Sequence, residues 1–243
     1  MSNKNHAFTL AEILITLGII GIIAALTLPT LILNYKEKET VSRLKKFYSI
    51  TSQAYNLALN EFGTPDTWGL LNYNESLGEE NTNFLNYLKP YLNIIEYCGS
   101  EKYKCWSNTT SLTGAIFQHS SDKYYSKAIL ADGSAILTYV LDKTCTKNSG
   151  NVKEICGQMR VDINGQKKPN ILGRDVFSFH ITKNRIIPTG TNLENSGNNS
   201  FEEGCIGEKS EGRGCTAWII YNENMDYLHC PEKIGWEKLK SCK

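Results

Sequence analysis

The residues best suited to chemistry by type and spacing are eight cysteines, which fall into four close couples along the chain. Zinc sites usually hold two cysteines separated by two residues, and the sequence has no C-x-x-C spacing. A thioredoxin-like redox motif is excluded for the same reason. Separated couples are typical of disulfides formed in an oxidising compartment, and sequential pairing is the simplest of about 105 connectivities. The couples are Cys98 and Cys105, Cys145 and Cys156, Cys205 and Cys215, and Cys230 and Cys242.

A second group of residues that could do chemistry is rich in side-chain oxygen. Asp162, Asn164 and Asp175, with Asn170 between them, offer the oxygen ligands that calcium takes from loops. Their spacing lacks the alternation of an EF-hand and its closing glutamate. The sequence D-x-N-G is more typical of a tight turn, so a turn is the favoured interpretation and calcium the alternative. No other cofactor is indicated.

Nothing in the remaining sequence favours catalysis. His119, His180 and His229 lie far apart and none adjoins a nucleophile motif, so we interpret them as surface or sheet residues. Glycine-rich phosphate-binding motifs are missing from the sequence. A net charge of +1 over 243 residues gives no field that would attract nucleic acid. We therefore expect a protein that is not an enzyme.

The element that organises the chain is an apolar run near its N-terminus. Between Phe8 and Leu33 the only charged residue is Glu12. A run of about 20 apolar residues is long enough to cross a bilayer as a helix. A carboxylate inside such a helix is costly and marks a functional position. Pro29 also lies in the run, where it removes one helical hydrogen bond.

The apolar run continues into an amphipathic helix without a helix-breaking residue. From Val41 to Phe62 the apolar positions recur every three or four residues, and Phe47, Ala54 and Leu57 widen that stripe. Gly63 and Pro65 then end the helix, because glycine caps it and proline cannot continue it. The sequence therefore predicts one long helix whose first half is apolar all round and whose second half buries one face.

The N-terminus resembles the prepilin signal of type IV pilins and type II secretion pseudopilins. That signal is a short basic leader and a small residue, then Phe-Thr-Leu-x-Glu and an apolar helix; here Ala7 precedes Phe8-Thr9-Leu10-Ala11-Glu12. Ala7 stands where glycine is usual. The resemblance covers roughly the first fifty residues, and it includes a proline at the place of Pro29.

The resemblance implies cleavage between Ala7 and Phe8 by a prepilin peptidase and methylation of the new Phe8 amine. Glu12 of one subunit would then pair with the Phe8 amine of its neighbour, which would select the register of packed helices. The alternative is that Glu12 lies in the headgroup region of a plain anchor helix. Pilin subunits, the peptidase, an inner-membrane assembly platform and the cytoplasmic membrane are the partners implied.

Two signals disagree about which side of the membrane holds the rest of the chain. Lys36, Lys38, Arg43, Lys45 and Lys46 follow the apolar run, whereas the leader has only Lys4. This distribution would place the C-terminal side in the cytoplasm. The paired cysteines indicate the opposite side, and a long domain can be translocated despite flanking charge. We expect the domain outside the cytoplasm.

After Pro65 the pattern becomes that of loops and short strands. Asn81-Thr82 is expected to cap a short helix that buries Phe84, Leu85 and Leu88. Alternating residues on either side of Asp132-Gly133 predict a hairpin, and residues 158–163 and 176–181 predict further strands. Residues 189–204 are too polar to be expected in a core. A late hairpin is expected from 217–221 and 225–228, and one helical turn from 236–240.

These elements predict an α+β, disulfide-rich, pilin-like fold with the long helix on an antiparallel sheet. We expect a leader (1–7), a transmembrane assembly helix (8–33), an amphipathic helix (34–63) and an extracytoplasmic domain (64–243). The predicted function is that of a structural subunit of a type II secretion pseudopilus or type IV pilus-like filament. A DNA-uptake or adhesive module on the same anchor, and an anchored protein that forms no filament, are the alternatives.

Overall fold

A single long helix, α1 (Leu10–Phe62), begins the structure and contains Pro29 in its interior. The computed structural model describes residues 10–72, 83–117 and 124–242. The chain divides into two compact units, Met1–Glu39 and Thr40–Lys243, and the boundary falls within α1. The prediction that the apolar run and the amphipathic segment form one helix is confirmed. The leader and the peptide bond after Ala7 lie outside the described residues.

The end of α1 follows the predicted glycine cap. Gly63 takes a left-handed conformation with φ of +77°, and its N–H donates to the carbonyl of Leu59 at 3.0 Å. Glycine adopts a left-handed backbone with little steric penalty, so Gly63 caps the helix and ends it here. Pro65 then opens a short 3-10 turn, Pro65–Thr67.

The amphipathic half of α1 packs on the sheet of the second unit. Its buried residues are Leu44, Phe47, Thr51, Ala54, Tyr55 and Ala58. Phe47 lies 5.8 Å from Phe179, centroid to centroid, and the Tyr55 hydroxyl donates to the carbonyl of Thr182 at 2.6 Å. Leu57 was expected in the stripe but is 51% exposed, because it lies about 60° around the helix from Ala54, beyond the edge of the buried face.

The strands of the described residues are β1 (Ile94–Gly99), β2 (Thr109–Thr110), β3 (Ile116–Phe117), β4 (Ser126–Leu130), β5 (Ala135–Val140), β6 (Lys147–Ser149), β7 (Val152–Asp162), β8 (Val176–Thr182) and β9 (Ile186–Pro188). Seven of them form an antiparallel main sheet in the order β1-β4-β5-β7-β8-β9, with β6 paired to β7. Strands β2 and β3 form a separate pair. The α+β, disulfide-rich, pilin-like fold predicted from the sequence is confirmed.

The predicted central strands are confirmed. Strands β4 and β5 form the hairpin around Asp132-Gly133, where Gly133 has φ of +83°. Strand β7 is longer than predicted and begins at Val152. The face of the sheet that does not contact α1 is also covered. Trp106, Tyr125 and Leu137 belong to a buried cluster on that face. The sheet is therefore buried on both faces.

The short helix after residue 82 is confirmed as α2 (Phe84–Leu88), although its cap differs from the prediction. Asn83 is the N-cap residue, and its side-chain oxygen accepts from the backbone N–H of Asn86 at 3.3 Å. The residues that were expected to cap it, Asn81 and Thr82, lie outside the described residues.

The prediction of a late hairpin is wrong. Residues Thr216–Asn222 form helix α4, and Asp226–Leu228 form a 3-10 turn. Residues 217–220 are a continuous apolar run, which fits a helix or a strand equally well by pattern alone. The disulfide between Cys205 and Cys215 holds the turn that leads into the helix, and Glu223 ends it at φ of +57°.

Two further predictions for the C-terminal third are wrong. Residues 189–204 do pack: Thr189, Glu194 and Ser200 are fully or almost fully buried, and Phe201–Gly204 form helix α3. Their side chains hydrogen-bond both within the segment and to other parts of the second unit, which lets a polar segment enter the core. Residues 236–240 form no helical turn; Ile234 and Leu239 instead make a bridge, closed by the Lys238 N–H donating to Gly235 O.

Candidate functional site

The apolar half of α1 has no protein cover in the described chain. Its leucine and isoleucine side chains from Leu10 to Leu33 are between 44% and 79% exposed. This helix is long and apolar enough to cross a membrane, and none of its most apolar 18-residue stretch is buried. Apolar surface on this scale is strongly disfavoured in water, so lipid or other helices must cover it.

Glu12 lies in the first turn of the described helix, and it is the only charged residue from Leu10 to Leu33. One turn further on, the Thr16 hydroxyl donates to the carbonyls of Glu12 at 2.9 Å and Ile13 at 3.0 Å. The Thr27 hydroxyl donates to the Ile23 carbonyl at 2.9 Å in the same way. Hydroxyls that bond back to their own helix suit an apolar surrounding. Because Glu12 carries the only charge from Leu10 to Leu33, its carboxylate dominates the electrostatics of this segment.

Pro29 lies within α1 and leaves it continuous. Because proline has no N–H, the carbonyl of Ala25 loses its usual helical donor. Gly18 and Gly21 lie on open helix surface, since a β-carbon built on either would meet no atom within 4 Å. These three positions form a stretch where another helix could approach closely and where α1 can loosen. Ala7 and Phe8, the predicted processing residues, lie outside the described residues.

The cysteines form four disulfides in the second unit. They join Cys98 to Cys105, Cys145 to Cys156, Cys205 to Cys215, and Cys230 to Cys242. These are the sequential pairs, and all eight cysteines are used. Each bridge closes a short local loop, and such crosslinks contribute about 2–4 kcal/mol each. The bridges therefore stabilise local turns of the second unit, and the Cys145–Cys156 bridge also encloses strand β6.

The oxygen-rich residues do come together, at the turn between β7 and β8. The Asn164 amide donates to Asp175 Oδ2 at 3.0 Å, and the Asn164 backbone N–H donates to Asp162 Oδ1 at 3.2 Å. Asp175 also accepts from the backbone N–H groups of Asn170 at 2.9 Å and Ile171 at 2.6 Å. With its amide turned so that the nitrogen faces Asp162, Asn170 donates to Asp162 Oδ2 at 3.0 Å. Both carboxylates are thus used by protein donors.

The electrostatics of this turn favour protons. Burial and the neighbouring Asp175 raise the pKa of Asp162 to about 8. Burial also raises the pKa of Asp175, against the hydrogen bonds that it accepts. A calcium ion would have to compete with the protein donors for both carboxylates. The turn interpretation of Asp162, Asn164 and Asp175 therefore accounts for the observed contacts.

Two of the three histidines noted in the sequence are described, and they differ in environment. His180 is buried on β8, where its Nε2 lies 2.8 Å from Oε1 of Glu194. Ser149 donates to the same glutamate oxygen at 2.9 Å. Because the serine bonds to the carboxylate and not to the imidazole, these residues are not arranged as a nucleophile and its base. His229 is exposed, and His119 lies outside the described residues.

The basic residues after the apolar run are partly used within the second unit. Lys45 makes an ion pair with Glu223. Arg43 donates to the carbonyl of Ile163 at 3.1 Å. Side chains held by their own domain are poorly placed to bind lipid or nucleic acid, so these contacts favour a structural role for this part of the basic segment.

Sequence reasoning missed an aromatic cluster near the C-terminus. Phe201 stacks on Trp218 at 4.4 Å, and Trp236 lies 5.4 Å from Trp218. The Lys240 ammonium lies over both indole rings, 5.8 Å and 5.3 Å from their centroids. No local spacing relates these residues, because they come from α3, α4 and the C-terminal loop. The count of four tryptophans in the sequence was the only signal of it.

Comparison with known proteins gives two matches to family models. A family of unknown function, DUF6613, matches residues 30–231. The prokaryotic N-terminal methylation motif matches residues 2–28. No curated protein and no solved structure matches the chain. The methylation motif is a type IV pilin-like prepilin signal and indicates pilin-type processing. The chain belongs to the DUF6613 family and carries a type IV pilin-like prepilin signal at its N-terminus.

Proposed function

We propose that the protein is a structural subunit of a type II secretion pseudopilus or a type IV pilus-like filament, and not an enzyme. The observation that carries the proposal is the methylation motif over residues 2–28, which leads into a helix with an uncovered apolar half. A plain membrane anchor needs an apolar helix but has no use for a glutamate at its start. A filament subunit uses both.

The energetics of α1 support assembly through this helix. Burial of apolar surface is favourable by about 25 cal/mol per Å², so helices that leave the bilayer must exchange lipid for one another. Within such a bundle the Glu12 carboxylate requires a positive partner. Cleavage after Ala7 creates one, the amine of Phe8, four residues before Glu12 in the sequence. Pairing between neighbouring subunits would fix their axial register.

The second unit, Thr40–Lys243, is proposed to lie on the oxidising side of the cytoplasmic membrane. The apolar half of α1 would be the single membrane-spanning segment. Its four disulfides support this orientation, because such bridges persist outside the reducing cytosol. A prepilin peptidase, other pilin-like subunits and an inner-membrane assembly platform are the proposed partners.

The processing step is tested by the intact mass of the protein purified from membranes of cells with and without a prepilin peptidase. We expect the peptidase to produce a chain that begins at methylated Phe8. Ala7→Gly should be cleaved at least as well as the natural chain. A bulky Ala7→Leu should stay uncleaved, because a small residue is required before the cut. A chain that still begins at Met1 in the presence of an active peptidase would refute the proposal.

A further inference from the structure

An open groove runs beside β9 in the second unit, at a place that the proposed filament role does not use. It has a cavity volume of about 320 Å³, at the lower end of the range of about 300–1,000 Å³ that is typical of small-molecule sites. The groove is lined by Tyr48, Arg185, Ile186, Ile187, Pro188, Thr191, Asn192, Leu193, Tyr221 and Trp236. We call it the β9 groove.

Three aromatic rings in the β9 groove are held in place by the surrounding protein. Tyr48 stacks on Phe179 at 5.7 Å and donates its hydroxyl to the carbonyl of Ile186 at 3.3 Å. The Trp236 indole N–H donates to the carbonyl of Gly190 at 2.9 Å. Tyr221 meets Trp236 edge to face at 6.2 Å and remains 58% exposed. Fixed aromatic surfaces of this kind suit a ligand with apolar C–H faces.

The charge of the β9 groove comes from Arg185. Its backbone is fixed by two hydrogen bonds with Thr182. Its exposed guanidinium makes no hydrogen bond or ion pair with the residues that the structure describes. None of the described residues that line the groove is an aspartate or a glutamate. An arginine fork without a protein partner binds a carboxylate through two parallel hydrogen bonds.

Polar side chains complete the lining of the β9 groove. Thr191 is only 5% exposed, and its hydroxyl oxygen is closed to solvent. Its side chain therefore forms part of the wall of the groove. The Asn192 amide lies in the same lining and offers both a donor and an acceptor.

The edge of the sheet is closed to an added peptide strand. Strand β9 is three residues long and ends at Pro188, which has no N–H to donate. The carbonyl of Ile186 already accepts from Tyr48. A peptide that adds to a sheet needs a row of free backbone groups, so the groove favours a compact ligand over an extended chain.

From these observations we propose that the β9 groove binds a sugar that bears a carboxylate. The sugar ring would lie against the aromatic side chains, its carboxylate would meet the Arg185 guanidinium, and its hydroxyls would bond to the Asn192 amide. The site uses no residue of the apolar half of α1, so the proposal stands or falls separately from the filament role.

The experiment uses the full chain in lipid nanodiscs, because glycoside detergents would themselves supply sugar. Saturation-transfer NMR titrations are run with D-glucuronate, D-glucose, acetate and a short acidic peptide. We expect glucuronate to bind best. Arg185→Gln should weaken glucuronate binding at least about tenfold through loss of the charged fork. Arg174→Gln, an exposed arginine elsewhere in the second unit, should leave it unchanged.

Tyr221→Ala provides a second variant that should fold, since Tyr221 is largely exposed, and it should also weaken glucuronate binding. Equal binding of glucose and glucuronate would overturn the role of the carboxylate. Equal binding of acetate and glucuronate would show an anion site without sugar recognition. Preference for the peptide, or the absence of any saturable binding, would also overturn the proposal.

Discussion

The Nε2 atom of His180 lies 2.8 Å from Oε1 of Glu194, with the two side chains 1% and 0% exposed. The glutamate connects distant parts of the second unit, since it also accepts from the Ser149 hydroxyl at 2.9 Å and the Gly190 N–H at 2.8 Å. His180 belongs to β8, Ser149 to β6, and Gly190 to the loop after β9. One buried carboxylate therefore joins two strands to the loop.

Glu194→Ala should destabilise the second unit by at least about 2 kcal/mol, because buried donors would lose their acceptor. The melting temperature of the full chain, followed by tryptophan fluorescence, measures this effect, since all four tryptophans belong to the second unit. Glu202→Ala, an exposed glutamate in α3, is the matched control and should melt like the natural protein. Equal melting of both variants would contradict the structural role of Glu194.

The Asp162 turn should make stability fall as pH rises. Its pKa is raised from 3.8 to about 8 in the folded chain, so folding retains a proton that the unfolded chain releases. The stabilisation from this proton is therefore fully present below about pH 4 and is lost as the pH rises to about 8. Over that range the free energy of unfolding falls by up to about 1.4 kcal/mol per pH unit for one proton. Asp175, whose pKa is also raised, acts with the same sign.

This pH dependence is measured by melting the protein between pH 5 and about pH 8.5. Asp162→Asn keeps the shape of the side chain and removes the titration, so its melting temperature should fall less over this range. Asp132→Asn, an exposed turn residue between β4 and β5, should behave like the natural protein. If Asp162→Asn kept the full pH dependence, the assignment to this carboxyl would be wrong.

Gly190 should not tolerate a side chain. It has φ of +88°, and a β-carbon there would lie 1.7 Å from the carbonyl oxygen of Gly214. Gly197 shares the left-handed conformation, with φ of +83°, but a β-carbon there would meet nothing within 4 Å. Gly197→Ala should therefore cost about 1 kcal/mol. Gly190→Ala should cost more than about 3 kcal/mol, because strain is joined by a backbone clash.

The yield of folded protein and its melting temperature compare the two glycine variants. The difference between them isolates the clash from the left-handed backbone, since both share the latter. Similar melting of Gly190→Ala and Gly197→Ala would show that the loop after β9 can move away from Gly214. That result would also argue against a rigid β9 groove, since the Trp236 indole N–H donates to the carbonyl of Gly190.

The elements predicted best from the sequence were those with local signals. Helix α1 followed from its spacing and from Gly63, and the β4–β5 hairpin followed from Asp132-Gly133. Arg160 occupies a polar position in the alternating pattern that predicted β7, and such positions usually face solvent. Arg160 is instead 2% exposed, because loops that carry Trp106 and Tyr125 cover the second face of the sheet. Alternation alone does not reveal such cover.

The two candidate sites differ in how far the sequence could reveal them. Glu12 and Pro29 lie in one contiguous apolar run, so their surroundings could be inferred directly from the sequence. The β9 groove takes Tyr48 from α1, Arg185 from the β8–β9 turn and Trp236 from the C-terminal loop. Residues so far apart in sequence meet only through the fold. The same reason applies to α4, which follows the turn that the Cys205–Cys215 bridge closes.

The central claim, assembly through the N-terminal helix, is tested most directly by photo-crosslinking in cells that express the peptidase and the assembly machinery. A photoreactive amino acid placed at Leu17, on the exposed apolar half of α1, should yield adducts between two copies or with another pilin-like subunit. Glu12→Ala should abolish these adducts. Glu39→Gln, a carboxylate on the same helix beyond the apolar run, should retain them. Equal adducts from the natural chain and Glu12→Ala, or none from either, would contradict assembly by this helix.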